Sequence, residues 1–316
     1  INNTLNLGAY LLHVYDNERL TTHHKMPPRV HLVRHAEGLH NVGREYWGLT
    51  DPSLTDKGRE QCRQLRDSFA FHSEVELIVS SPLCRAISSA AIGFGPVFES
   101  RPSTNLILLP DLQEISDFPC DIGSELEELL GKTADLNIPI DYSFVEESWT
   151  SKNDRYAPSI KAIQDRAQAV RRWLASRPES EIVIVSHGAF LHFLTEDWED
   201  SFVEEGRSRA SRRSAQQNSL HTDILPVGIA TGWANAEYRT YNLNSQPKCD
   251  LDVACHFNEI ALVETKESRS RRSKLNSTPP REEQIGLRLE ALKVWGQQGY
   301  LFSAAERETS NGMDER

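Results

Sequence analysis

From residue 30 to residue 195 the chain alternates short apolar segments with helical patterns, and this alternation limits the fold more than any other feature. The apolar segments cover residues 30–33, 75–79, 105–109 and 181–185. Continuous apolar segments of this length are typical of strands buried on both faces, as in parallel sheets. We therefore predict a three-layer α/β/α sandwich with a mainly parallel sheet and helices on both of its faces.

The rest of the chain differs from this pattern and suggests a domain organisation. We predict a polar leader over residues 1–28, one main domain over 29–265, and a basic linker with a C-terminal helix and tail over 266–316. Within the main domain, residues 196–232 change from acidic to basic, which predicts an exposed insertion. In the last segment, an apolar stripe at helical spacing predicts a helix that contains Ile285, Leu289, Leu292 and Trp295.

Charge and cysteine content restrict the partners and the compartment. The net charge of −11 disfavours nucleic acid and anionic membranes as partners, because both bind clustered cations. Five cysteines without a C-x-x-C pair indicate neither a zinc site nor a disulfide framework, which favours the cytoplasm. We expect no membrane span and no signal peptide, since no apolar run approaches about 20 residues and the first segment lacks a basic flank. The sequence contains no indication of oligomeric state.

Polar motifs follow the predicted strands, each at the point where a strand ends. They are RHAEGLHN at residues 34–41, SSPLCRA at 80–86, LQE at 112–114 and SHG at 186–188. In open α/β sheets, ligands bind beyond the carboxyl ends of the strands. We therefore expect five side chains to converge on one crevice: Arg34, His35, Arg85, Glu114 and His187.

This combination of side chains suits phosphoryl transfer. Two guanidiniums can bind the phosphate oxygens, and one imidazole can attack phosphorus. A second imidazole can donate to a phosphate oxygen, while a carboxylic acid protonates the leaving alkoxide. Neighbouring arginines should disfavour protonation of His35 and so preserve its lone pair. This chemistry requires neither a metal nor another cofactor, and we expect none.

On these motifs the chain resembles the histidine phosphatase (phosphoglycerate mutase-like) superfamily over about residues 29–265. The resemblance implies a phosphohistidine on His35, with His187 as a second catalytic histidine and Glu114 as the proton donor. It implies that the phosphate is bound by Arg34, Asn41, Arg85 and His187. Thr55 and Gly58 match the usual L-T-x-x-G opening of the first helix, which has a structural role.

The sequence departs from the family pattern at two places. Ala36 stands where glycine is commoner after the nucleophile. Glu114 lies outside the family's more usual L-x-E-x-x-x-G setting, so Asp117 and Asp121 are alternative acids. Residues 232–239 resemble a fungal branch of the family, and we expect Trp233 to pack in the core there.

The leading hypothesis is a metal-independent phosphomonoester hydrolase that acts on a small phosphorylated substrate. One alternative is a phosphoglycerate-type mutase, whose site-closing loops are not recognisable in this sequence. The other is a catalytically weak phosphate-binding adaptor, which has no chemical need for both arginines and both histidines. The substrate is determined by variable loops, which we place at residues 36–52, 111–157 and 196–232.

Overall fold

The computed structural model describes residues 27–201, 231–245, 260–275 and 277–301. Nearly all of the predicted leader, the middle of the predicted insertion and the end of the predicted tail lie outside these residues. None of the helices in the described ranges is long and apolar enough to cross a lipid bilayer.

The described strands form one seven-stranded sheet in the order β4-β3-β2-β5-β1-β6-β7. Their bounds are β1 Arg29–Arg34, β2 Leu77–Ser80, β3 Leu106–Leu108, β4 Ile140–Asp141, β5 Glu181–Ser186, β6 Tyr238–Ser245 and β7 Ile260–Glu264. Strands β1 to β5 pair in parallel, whereas β6 is antiparallel to both of its neighbours, β1 and β7. The predicted mainly parallel sheet is confirmed.

Helices cover both faces of the sheet, as predicted. Their bounds are α1 Asp56–Ser68, α2 Cys84–Gly93, α3 Gly95–Ser100, α4 Leu126–Thr133, α5 Ile160–Ser176, α6 Gly188–Thr195, α7 Lys266–Arg271 and α8 Arg281–Gln297. One apolar cluster packs α5, α6 and α8 against the sheet, and a second packs α1 to α4 against the opposite face. The three-layer α/β/α sandwich is confirmed.

In the sequence, Ser81-Pro82 predicts the start of helix α2, with Pro82 at the position where its missing N–H costs least, and the structure differs there. The helix begins at Cys84, because its first turn is capped from a different segment of the chain. The Asp51 carboxylate accepts a hydrogen bond from the backbone N–H of Cys84 at 2.8 Å. A carboxylate at this position satisfies one of the N–H groups that a helix start leaves without a partner.

Helix α8 contains the four residues of the predicted apolar stripe, but only part of that stripe is buried. Ile285 and Leu289 are 45% and 62% exposed, whereas Ala291 and Trp295 are fully buried. Trp295 packs against Trp198 with the ring centroids 5.8 Å apart. This contact between distant segments decides which face is buried, and sequence spacing does not contain it.

The predicted exposed insertion and the predicted basic linker are both packed against the core at several residues that the structure describes. Trp198 and Thr231, near the two ends of the predicted insertion, are 1% and 4% exposed. In the predicted basic linker, Arg269 is buried and its guanidinium pairs with Glu199 and Glu264. The expectation of exposure is therefore wrong at Trp198 and Thr231, because Trp198 stacks on the buried His192 and the Thr231 carbonyl oxygen lies within hydrogen-bond distance of the same histidine.

Candidate active site

The loop that follows β1 holds a buried histidine in one tautomer. His35 comes directly after β1, and its backbone N–H donates to Ser186 O at 2.9 Å. The side chain is 2% exposed, and its Nδ1 lies 2.7 Å from Ala36 O. A carbonyl can only accept, so Nδ1 carries the proton and Nε2 keeps its lone pair. Nε2 is therefore the nitrogen available for attack.

Helix α1 fixes this loop through its first turn. Thr55 Oγ1 accepts from Gly58 N at 2.9 Å and donates to Glu37 Oε1 at 2.8 Å. The backbone N–H of Thr55 donates to Glu37 O at 3.0 Å. A cap that serves both the helix and the loop holds the residues after His35 in place. This contact is the structural role that the L-T-x-x-G motif implies.

Arg85 links the two predicted catalytic histidines. Its side chain is fully buried, and Nε donates to His35 Nε2 at 3.4 Å while NH2 approaches His187 Nδ1 at 3.3 Å. The same guanidinium donates to Cys120 O at 2.6 Å and to Asp121 Oδ1 at 2.7 Å. The structure thus brings together the ends of β1, β2 and β5, as the sequence predicts.

His187 lies between the end of β5 and the start of α6, with its ring centroid 4.9 Å from that of His35. Its Nε2 contacts Ser81 Oγ at 2.8 Å, so both ring nitrogens face protein groups. Burial, followed by the positive charge of Arg85, lowers the pKa of both His35 and His187 well below the usual histidine range. Both imidazoles are therefore neutral near pH 7.

Glu114 is held at the N-terminus of α6. Its Oε1 accepts from Phe190 N at 3.1 Å and from Ile115 N at 3.0 Å, and its Oε2 lies 3.4 Å from Ala189 N. Burial raises the pKa of this carboxyl and the charge of Asp121 adds to the rise, whereas the amide of Ile115 opposes it. A raised pKa is what a proton donor needs near neutral pH.

The backbone that carries Glu114 is braced by buried polar groups. Arg166 donates to the carbonyls of residues 111 and 113 at 3.1 and 2.9 Å, and Ser186 Oγ donates to that of residue 112 at 2.7 Å. Lys152 Nζ lies 3.3 Å from Glu114 O. Burial lowers the pKa of Lys152 to about 7. Hydrogen bonds thus hold Glu114 in place through both its backbone and its carboxylate.

The alternative acids differ from Glu114 in their surroundings. Asp121 lines the cavity, but its two oxygens accept from Arg85 at 2.7 Å and from Ser116 Oγ at 2.5 Å. Asp117 is not among the residues that line the cavity. The geometry therefore favours Glu114 over both alternatives as the proton donor.

A cavity of about 40 Å³ lies over His35. Four of the predicted site residues line it, namely Arg34, His35, Asn41 and Glu114. Arg85 and His187 contact His35 or its partners rather than the cavity. Asn41 Oδ1 accepts from Gly38 N at 3.1 Å and from Asn235 Nδ2 at 3.3 Å, which fixes the orientation of its amide.

Several lining residues were not identified from the sequence. Trp47, Thr231 and Tyr300 line the cavity, and Asn235 Nδ2 donates to His35 O at 3.2 Å. Trp47 falls in a loop predicted to determine specificity, whereas no sequence signal relates Tyr300 to this site. Trp233 is buried as expected, and its carbonyl accepts from Arg34 NH1 at 2.5 Å.

In the part of the chain that the structure describes, no group of three or more His, Cys, Asp or Glu side chains could hold a metal ion.

Residues 30–223 match the family model of the histidine phosphatase superfamily (branch 1). The chain belongs to this superfamily. The predicted family and enzyme class are confirmed, whereas the assignment to a fungal branch stays a prediction. The predicted site residues of this histidine phosphatase lie at or after the ends of three adjacent strands, β2, β5 and β1, and in the loop after β3.

Curated relatives carry phosphatase and mutase-like names. A probable phosphatase of Schizosaccharomyces pombe is 30% identical over 168 residues, which cover 50% of this chain and 73% of that protein. Phosphoglycerate mutase-like protein 1 of Arabidopsis thaliana is 27% identical over 251 residues, covering 67% and 79%. Among solved structures, the ecdysone phosphate phosphatase of Bombix mori in complex with tungstate matches with a TM-score of 0.43 and 16% identity, covering 73% of this chain and 98% of that one.

Proposed function

We propose that this protein hydrolyses phosphomonoesters of small molecules through a phosphohistidine on His35, without a metal or other cofactor. The observation that carries the proposal is the buried His35 imidazole, whose Nδ1 is bound to Ala36 O and whose Nε2 lies 3.4 Å from Arg85 Nε. A lone pair beside a guanidinium is suited to attack a phosphate that the same guanidinium binds.

In the first step, Arg34, Asn41 and Arg85 bind the phosphoryl oxygens. The lone pair of His35 Nε2 forms an N–P bond while the P–O bond to the alcohol breaks. Glu114 gives its proton to the departing oxygen, so the alcohol leaves neutral. Because Arg85 also pairs with Asp121, the phosphate must share that guanidinium with a carboxylate or displace it.

In the second step, water attacks the phosphohistidine. Glu114, now a carboxylate, takes a proton from the water as the new P–O bond forms. The N–P bond breaks, its electron pair returns to His35 Nε2, and inorganic phosphate is released. A bound dianion favours a protonated His187, which can then donate to a phosphate oxygen instead of accepting from Arg85.

The names of the relatives support phosphatase activity more strongly than they support any particular substrate. The Schizosaccharomyces pombe relative is named a probable phosphatase, and a relative from Hydrogenobacter thermophilus is named phosphoserine phosphatase 1. The Arabidopsis thaliana names favour the alternative of a phosphoglycerate-type mutase. We retain the single main domain over residues 29–265 and the cytoplasmic location as parts of the proposal.

The test is to trap the intermediate. The protein is mixed with a radiolabelled phosphate ester and quenched in alkali, in which phosphohistidine is stable, and the labelled residue is located in wild type, His35→Ala and His72→Ala. His72 is a matched control, because its Nε2 bonds to Arg66 O and it lies outside the cavity lining. We expect label on His35 in wild type and His72→Ala, and none in His35→Ala.

Three outcomes would contradict the proposal. Label that persists in His35→Ala would place the nucleophile elsewhere. Exchange of the phosphoryl group between phosphoglycerates, faster than release of inorganic phosphate, would favour the mutase. Phosphate binding without label or turnover would favour the adaptor.

A further inference from the structure

Three aromatic side chains from separate parts of the chain meet beside the cavity. The ring centroids of Trp47 and Phe118 are 5.2 Å apart, those of Trp47 and Tyr300 are 5.6 Å apart, and those of Phe118 and Tyr300 are 5.1 Å apart. We call these three residues the aromatic wall. Trp47 and Tyr300 line the cavity together with His35 and Glu114. The wall therefore offers apolar surface beside the reacting groups.

The end of α8 determines where Tyr300 points. The backbone N–H of Tyr300 donates to Trp295 O and that of Gly299 donates to Gly296 O, both at 3.0 Å. Gly299 has a φ of +83°, so the pair of bonds forms a Schellman motif with glycine at its left-handed position. Trp295 is fully buried and Tyr300 is 6% exposed, so the turn is anchored in the core. Tyr300 lies beyond the residues that match the family model.

Tyr300 also lies close to the acidic side of the cavity. Burial raises the pKa of its hydroxyl, and the negative charges of Asp121 and Glu114 raise it further. In the proposed reaction, Glu114 protonates the oxygen of the departing alcohol. Because Trp47 and Tyr300 line the same cavity of about 40 Å³ as Glu114, the aromatic wall is near the oxygen that Glu114 would protonate.

The charged residues that line the cavity disfavour a leaving group that carries a second negative charge. Among the described residues that line the cavity, Arg34 is the only arginine or lysine, and the proposed reaction uses its guanidinium to bind the phosphate. Arg44 stacks on Trp47 at 5.1 Å from the ring, but it is not among the lining residues. A carboxylate on the leaving group would meet aromatic rings and the acids Glu114 and Asp121.

We infer that the aromatic wall is a leaving-group subsite, and that Tyr300 selects phosphate esters of aromatic or similarly flat, uncharged alcohols. The inference rests on the proposed function, because that reaction defines the leaving group. Ring stacking contributes about 0.5–1.5 kcal/mol beyond burial, which corresponds to roughly a two- to thirteenfold preference for a ring.

The test compares benzyl phosphate with ethyl phosphate, two esters of primary alcohols, and uses 3-phosphoglycerate as an anionic probe. We expect wild type to have the highest kcat/KM for benzyl phosphate. Tyr300→Ala should lower the benzyl-to-ethyl ratio of kcat/KM roughly two- to thirteenfold, whereas Tyr300→Phe should keep this ratio because the ring remains. Leu289→Ala, on the exposed face of the helix α8 that precedes Tyr300, is the matched control and should not change the ratio.

A second measurement separates selection from a structural role. The alcohol has left before the phosphohistidine is hydrolysed, so Tyr300→Ala should not change the rate at which the trapped phosphoenzyme loses its label. If Tyr300→Ala lowers kcat/KM for both esters and the rate of phosphoenzyme hydrolysis by the same factor, Tyr300 has only a structural role. A wild type that prefers ethyl phosphate or 3-phosphoglycerate would overturn the inference.

Binding of benzylphosphonate and ethylphosphonate gives the same comparison without turnover. A benzyl preference that depends on Tyr300, in a protein that forms no phosphohistidine, would contradict the proposed reaction and support the subsite. Equal binding of the two phosphonates, with a phosphohistidine on His35, would contradict the subsite and support the reaction.

Discussion

The backbone carbonyl oxygen of Glu37 lies 2.1 Å from where a Cβ atom on Gly58 would be. Helix α1 and the loop after the predicted nucleophile therefore touch through a position that accepts glycine alone. Because the opposing atom belongs to the backbone, a methyl group at residue 58 must displace the loop or the start of the helix.

We predict that Gly58→Ala lowers the free energy of unfolding by about 1–3 kcal/mol, the usual cost of overpacking a core. It should also lower kcat, because the displaced loop carries His35. The matched control is Gly131→Ala in α4, where the added Cβ meets no atom within 4 Å. Denaturant unfolding and phosphatase assays of the two variants check this. Equal stability of the two variants would contradict the packing argument.

Glu114→Gln should slow turnover in a manner that depends on the leaving group. The amide preserves the shape of the side chain but has no acidic proton to give. The kcat for esters with poor leaving groups should therefore fall about 10²–10⁴-fold, whereas the kcat for p-nitrophenyl phosphate should fall much less. Phosphate release is measured over a series of esters. Asp117→Asn is the control and should behave as wild type. The same loss for every ester in Glu114→Gln would assign the acid to another residue.

Lys152 should make stability depend on pH above neutrality. Its pKa is lowered to about 7 in the fold, so the unfolded chain binds more protons between about pH 7 and about pH 10. The free energy of unfolding must then rise with pH over this range, by up to about 3 kcal/mol from this group. Lys152→Met should remove that rise and be the more stable variant near pH 7. If the free energy of unfolding changes with pH at the same slope in wild type and Lys152→Met, the pKa of the lysine is not lowered in the fold.

The buried histidines should make stability depend on pH below neutrality. His35 and His187 have pKa values well below the usual range, so the unfolded chain takes up protons on them first as the pH falls below about 6.5. Stability must fall there, by up to about 2 kcal/mol for each histidine at about pH 5. His35→Asn should weaken this fall, and NMR of isotope-labelled histidine should show His35 neutral at about pH 6. A charged His35 at that pH would contradict the prediction.

The strand ends were predictable because buried parallel strands have a distinct pattern and ligands bind beyond their carboxyl ends. That reasoning places Arg34, His35 and Glu114 together without the structure. The same reasoning does not identify Tyr300, which lines the cavity because of the turn after α8 and not because of a strand end. For α8 the sequence predicts the helix but not which part of its apolar stripe is buried, because the contact between Trp295 and Trp198 is tertiary. The cap of α2 was missed for the same reason, since Asp51 is distant in sequence.

The position of β5 between β2 and β1 has a consequence for how such a protein can diverge. Three neighbouring strands and the residues that follow them carry the groups that we propose bind and attack the phosphoryl group, while the aromatic wall belongs to loops and to the turn after α8. Changes in those peripheral segments can alter which ester is accepted and leave the central strands intact. A chimaera that exchanges only the periphery should therefore acquire a new preference and retain its old chemistry.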